Sequence, residues 1–216
     1  MNELEQAYKA PQSDVINTRD IPSNFKRGEL SYRQLMIAGW LSIVYLLAYI
    51  PVMWISFSGG LGGESNSLAA VANYLNVIMT SLWVYLILLM KKLFQVRFSF
   101  SGANFYIHAQ IFIAIPMAIM PILFEENFNS INVFSVTYFV LLIPLGVLTA
   151  LFGKRVLKIE VFYRGLQLYA WSNIVAGICL ASVILMFFAI PIGLVSSIAM
   201  ALIFFNAASE INNYSE

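Results

Sequence analysis

Residues 165–209 read GLQLYAWSNIVAGICLASVILMFFAIPIGLVSSIAMALIFFNAAS, a run without Lys, Arg, Asp or Glu held between Arg164 and Glu210. A bilayer core is about 30 Å thick and takes about 20 helical residues to cross, so the run has roughly the length of two spans. It is expected to cross and return. The reversal is placed at Ile190-Pro191-Ile192-Gly193, where Pro removes a backbone donor and Gly permits a turn. Spans five and six then cover about Leu168 to Phe188 and Ile192 to Ala208. The second is short, so residues 192–208 either complete a crossing or form a re-entrant or interfacial helix.

Working outward, the whole chain has this character. It is 60% hydrophobic and 11% charged over 216 residues, against about 25% charged in soluble proteins. The apolar residues face lipid, and one all-α polytopic bundle is expected. Four further uncharged stretches read as spans: about Leu35 to Phe57, Leu68 to Met90, Tyr106 to Phe124 and Val133 to Phe152. Trp40 and Trp54 stand near the two ends of the first, where indoles prefer the interface. The first apolar stretch is of full span length and begins only at Leu35, which predicts an uncleaved anchor. Ser58-Gly59-Gly60-Leu61-Gly62-Gly63-Glu64 reads as a flexible loop; a phosphate cradle needs a preceding strand and a Lys. Prolines at 51, 116 and 121 do not align with those at 144 and 191, so three successive hairpins describe the chain better than an inverted repeat. Cys179 is the one cysteine, so an intramolecular disulfide is impossible.

The charges set a direction. All twelve bases lie in three segments: the tail, the stretch Lys91 to Arg97, and the stretch Lys154 to Arg164. The alternate loops carry Glu64 and Glu125-Glu126 and no base. Short loops rich in Lys and Arg stay on the cytoplasmic side, which predicts an inside N-terminus and, with six spans, an inside C-terminus. Residues 1–34 read as a largely flexible cytoplasmic tail, residues 35–209 as the membrane domain and residues 210–216 as a short C-terminal tail. Within the first tail, Ser23-Asn24-Phe25-Lys26-Arg27 offers the start of a short interfacial helix. Ser31 and Gln34 have the spacing of a capping box.

On these boundaries every acid and base falls in a tail or loop, which argues against a carboxylate-relay pump, an aspartyl intramembrane protease and a carboxylate-coupled cation transporter. His108, with Gln110 nearby, is the one titratable group inside a span. Without a second ligand at suitable spacing it reads as structural or interfacial rather than metal-binding. Nucleophile motifs are missing, so no catalytic residue, metal or cofactor is assigned. The intramembrane polar groups are neutral. Asn73, Asn76 and Thr80 share one face of span two, and Asn173 and Asn206 are expected at similar depth, where they can pair. Such bonds contribute about 0.6 kcal/mol on average. Gly177 with Ala181, and Gly193 with Ser197 and Ala201, have the small-residue spacing that lets spans five and six pack on each other or on a partner chain. Pro116 and Pro121 make span three the most irregular and the first candidate to line a cavity. Lys91, Lys92, Arg97, Lys154, Arg155 and Lys158 read as lipid-facing bases, each attracting anionic headgroups by about 1 kcal/mol.

Ala7-Tyr8-Lys9-Ala10-Pro11 resembles the Asn-Pro-Tyr-x-Ala-Pro leader found before the first span of many uncharacterised bacterial inner-membrane proteins, with Gln6-Ala7 where that leader has Asn-Pro. The end of the chain, from Phe152-Gly153-Lys154 to Asn206-Ala207-Ala208, is similar to the same group. The resemblance implies a bacterial inner membrane and no particular activity. Two functions fit the residues: a non-enzymatic subunit or scaffold that meets another membrane protein, a second copy or anionic lipid, and a small uncoupled transporter or channel lined by spans two and three. An intramembrane enzyme using His108 ranks third. Nothing points to nucleic acid.

Overall fold

The computed structural model describes residues 29–61, 66–123, 133–159, 163–182 and 184–213. The leader at residues 7–15, the Ser23 to Arg27 segment, Glu64 and the Glu125-Glu126 pair lie outside them. Among the described residues the chain is all-α with six helices: α1 Tyr32–Leu61, α2 Asn66–Phe98, α3 Asn104–Leu123, α4 Val133–Val156, α5 Leu166–Ala181 and α6 Met186–Asn213. All except α5 are long and apolar enough to cross a membrane. At 16 residues, α5 is about 24 Å long, short of a full hydrocarbon core.

The closing hairpin therefore differs from the sequence expectation. The break between its helices falls between Ala181 and Met186, not at 190–193, and the short member is the fifth helix rather than the sixth. Ser182 explains the position: its amide donates to Ile178 O at 3.1 Å, its hydroxyl donates to Cys179 O at 2.8 Å, and that oxygen accepts from Leu185 N at 3.1 Å. One side chain thus serves the end of α5 and the approach to α6. Pro191 sits inside α6, where it removes one backbone bond without ending a 28-residue helix.

Other helix ends follow their local chemistry. The capping box at α1 is formed, with Gln34 N donating to Ser31 Oγ at 3.1 Å and Ser31 N to Gln34 Oε1 at 3.2 Å. Helix α1 continues through Leu61, four residues into the stretch that reads as loop by composition. Helix α2 ends at Phe98, and the next residue, Ser99, takes a left-handed φ of 50°, so that Phe100 N reaches back to Phe94 O at 3.0 Å.

The helices form a ring. Each packs against its neighbours in the chain, and α6 closes the circle onto α1. The α4–α5 seam is built from small residues. A Cβ on Gly177 would lie 2.4 Å from Ala150 N, one on Gly146 would lie 2.4 Å from Ala181 N, and one on Gly153 would lie 2.5 Å from Ala170 O. The order of these contacts makes the two helices antiparallel and runs α5 along only the second half of α4. At the α1–α6 seam the Phe205 ring covers Gly39 and meets Trp40 edge-on at 5.7 Å. Outward, α1 exposes Ile37, Trp40, Val44, Leu47, Ile50 and Trp54, a continuous helical stripe for lipid.

Among the described residues, the main hydrophobic cluster fills the inside of the ring at one end. Leu35, Leu86, Met90, Phe94, Ile107, Phe152, Val156, Leu166, Ile203 and Phe204 are buried there in one cluster. The same end carries the described bases, from Arg33 through Lys91, Lys92 and Lys154 to Arg164, and is called the basic end below.

Candidate functional site

Beyond that packed floor the six helices separate around a cavity of about 330 Å³. Its volume falls at the lower edge of the range of about 300–1,000 Å³ seen for small-molecule pockets. Every helix contributes: Ser42, Tyr45 and Tyr49 from α1, Thr80 and Trp83 from α2, Gln110 from α3, Thr149 from α4, Tyr169 and Asn173 from α5, and Gly193, Ser196 and Ser197 from α6. Leu86, Leu145, Leu180, Ile190 and Met200 supply apolar wall. None of the lining residues is an acid or a base.

The polar side chains are anchored in a common way. Ser42 Oγ donates to Ala38 O at 2.8 Å, Thr149 Oγ1 to Leu145 O at 2.8 Å and Ser197 Oγ to Gly193 O at 3.0 Å, each satisfying its hydrogen on its own helix. Gln110 Nε2 crosses from α3 to Leu148 O at 3.2 Å, which fixes the orientation of its amide. Asn173 Nδ2 bonds both Tyr169 O at 2.7 Å and Ser196 Oγ at 3.0 Å, tying α5 to α6.

At the basic end a second polar cluster closes the floor. Arg97 Nε and Nη2 each donate to Glu210 at 2.8 Å, a bidentate ion pair between the ends of α2 and α6. The Tyr163 hydroxyl, from the α4–α5 connection, also donates to Glu210. Arg97 is packed between rings, 5.5 Å from the centroid of Phe98 and 6.0 Å from that of Tyr163. Its side chain is fully enclosed, and that of Glu210 is 10% exposed. Burial, then the hydrogen bond to Glu210 and the charge on that carboxylate, hold the Tyr163 phenol well above the usual tyrosine range. The stability tied to a raised pKa is fully present below the unfolded value of about 10 and is lost as pH rises above it. Between about pH 9 and 11 the wild-type protein is therefore expected to lose more melting temperature than Tyr163→Phe. Parallel loss in the two proteins over a pH series of thermal melts would remove the phenol from the account.

The candidate residues read from sequence divide accordingly. Thr80, Asn173, Gly193 and Ser197 line the cavity together with Gln110. Asn73 and Asn76 are half-buried on α2 outside it, Pro116 is exposed, and Pro121 is buried without lining it. Helix α6, not α3, supplies the largest share of the wall. Asn173 and Asn206 do not pair, because each finds a nearer partner: Asn206 Nδ2 donates to Arg164 O at 2.9 Å, ahead of α5. Gly177 and Ala181 face α4 rather than α6, since Gly146 and Ala150 offer them matching small residues; Ala201 is buried in the ring. His108 is exposed and accepts from Lys91 Nζ at 3.1 Å through Nε2. Lys92, Lys154, Arg155 and Lys158 are exposed, and Arg155 also lies 5.8 Å over the Tyr106 ring. Arg97 is the exception among the bases expected to face lipid, because Glu210 pulls it inward. Glu210 is likewise no tail residue but part of α6. Lys91, Lys92, Arg97, Lys154, Arg155 and Glu210 all lie on helices, so acids and bases are not confined to tails and loops.

The fold and the cavity define a multi-span membrane protein with a neutral internal chamber. No protein-family model, curated protein or solved structure matches the chain.

Proposed function

We propose that this protein is a non-enzymatic carrier for a small uncharged molecule, which it holds at the centre of its helical ring. The cavity carries the reading: all six helices line it, its polar groups are neutral, and its floor is packed shut at the basic end. A closed floor favours a carrier that must rearrange over an open channel. An ion in the chamber would lack a counter-charge in a medium of low dielectric constant, so the cargo is uncharged. The competing subunit-or-scaffold reading rests on the small-residue faces of Gly177 with Ala181 and of Gly193 with Ser197 and Ala201; Gly193 and Ser197 line the cavity and Ala201 is buried. Gly177 and Ala181 are occupied by α4 within the chain. With the basic end facing the cytoplasm, the N- and C-termini are both inside, in a bacterial inner membrane as the leader resemblance implies. The exposed Lys92, Lys154, Arg155 and Lys158 would then lie among anionic headgroups.

Gly193 provides a clean test, because a Cβ there meets nothing within 4 Å. A larger side chain at this position can fill the chamber without pressing on the backbone. In proteoliposomes, uptake of radiolabelled urea, glycerol or mannitol is expected to exceed protein-free liposomes several-fold and to saturate. Gly193→Leu should return it to background while keeping the wild-type melting temperature. Uptake of all three solutes at the liposome rate in both proteins would sink the carrier reading.

A further inference from the structure

We infer that the chamber selects a hydrogen-bond-donating ligand, an uncharged amphipathic molecule with several O–H or N–H groups on a compact apolar body. The inference rests on the carrier reading for its site and adds the ligand's chemistry. It follows from where the hydrogens of the wall go. The hydroxyl hydrogens of Ser42, Thr149 and Ser197 are committed to carbonyls of their own helices, one amide hydrogen of Gln110 points to Leu148 O, and both of Asn173 point to Tyr169 O and Ser196 Oγ. Apart from the second amide hydrogen of Gln110, what these five side chains still offer is oxygen lone pairs, so acceptors outnumber donors on this part of the wall.

Gln110 is the most telling of them. It is 2% exposed, one hydrogen of its Nε2 is used, and among the described residues its Oε1 accepts no hydrogen bond. Among the described residues, no buried side-chain N or O atom lacks a partner. The small remaining surface of Gln110 therefore includes Oε1, and that surface faces the chamber that Gln110 lines. Leaving such an acceptor without a donor in a membrane interior is costly. The ligand that relieves the cost brings hydrogens. The hydroxyls of Tyr45, Tyr49 and Thr80 can donate or accept and so adapt to it, while Trp83, Leu145, Ile190 and Met200 form the apolar wall against its body.

The test uses two probes of one skeleton, resorcinol with two O–H donors and 1,3-dimethoxybenzene with none, titrated calorimetrically into the full chain in nanodiscs against empty nanodiscs. Resorcinol is expected to bind at least tenfold tighter than its dimethyl ether. Gln110→Met, which keeps volume and removes the acceptor, should weaken resorcinol at least fivefold and leave the ether unchanged. Thr149→Val, which alters one exposed lone-pair site and nothing in the α3–α4 contact, should act in the same direction and guards against a folding defect in the first variant. Gly193→Leu should abolish both. Equal binding of the two probes, tighter binding of the ether, binding of neither, or a preference for benzylammonium over resorcinol would each overturn the inference. Donor-selective binding without uptake in proteoliposomes would sink the carrier reading alone. Uptake without donor selectivity would sink only the inference.

Discussion

Glu210→Ala is expected to lower the unfolding free energy by about 3–5 kcal/mol, the cost of breaking a buried ion pair by removing one of its members. The member that remains is Arg97, whose side chain is fully enclosed and whose guanidinium lies against the Phe98 and Tyr163 rings. Glu210→Gln, which still accepts two hydrogen bonds, should lose less than half as much. Replacing both partners, Arg97→Met with Glu210→Leu, should recover most of the loss, because burying two charges costs about as much as their attraction returns. The three variants are compared by denaturant titration in one detergent. An Ala variant as stable as wild type would show that the pair does not hold the floor. The consequence reaches function, since this cluster ties α2, α6 and the α4–α5 connection directly at the closed end that a carrier has to open.

Gly177→Ala is expected to cost about 3 kcal/mol, the upper part of the range for overpacking. A single methyl at this position lies 2.4 Å from Ala150 N and 2.5 Å from Gly146 O. Both obstacles are backbone, so no side chain can turn away, and the two helices have to part by about 1 Å to reach ordinary contact. Within a bilayer the association of helices draws on packing rather than on exclusion of water, so a lost seam is not replaced by other burial. Gly146→Ala should behave alike, because it meets Ala181 N at 2.4 Å from the other side. Gly193→Ala is the control in the same titration and should match or exceed wild type by up to about 1 kcal/mol, as Ala is the better helix former. Equal losses at 177 and 193 would mean that the seam is not the source of the effect.

These three glycines show how much of the site was legible. Small-residue spacing marks Gly177 and Gly193 alike, yet one is pressed against backbone and the other faces a void. Spacing says which helix faces are small and is silent on what stands opposite. The matching signal at Gly146 and Ala150, four residues apart, was available for α4 and identifies its face, though not its partner. The asparagines make the same point. Their depth was readable, but Asn173 is satisfied by Ser196 across the hairpin and Asn206 by the carbonyl of Arg164. Arg97 and Glu210 were assigned to a loop and a tail because hydropathy registers a charge and not its counter-charge 113 positions away.

What the sequence by itself determined is the solvent and the element type. Long uncharged runs have no stable alternative to helices in lipid, where each backbone group has to be satisfied within its own segment. The bases that fall together in short connections were enough to place helix ends at a common side, and the Ser31 to Gln34 capping box was readable because its partners are three residues apart. Only the tertiary structure decided that the helices close into a ring, that a packed floor at the basic end borders a cavity, and which polar side chains line it. Those features depend on contacts between residues distant in the chain, and local periodicity carries no information about them.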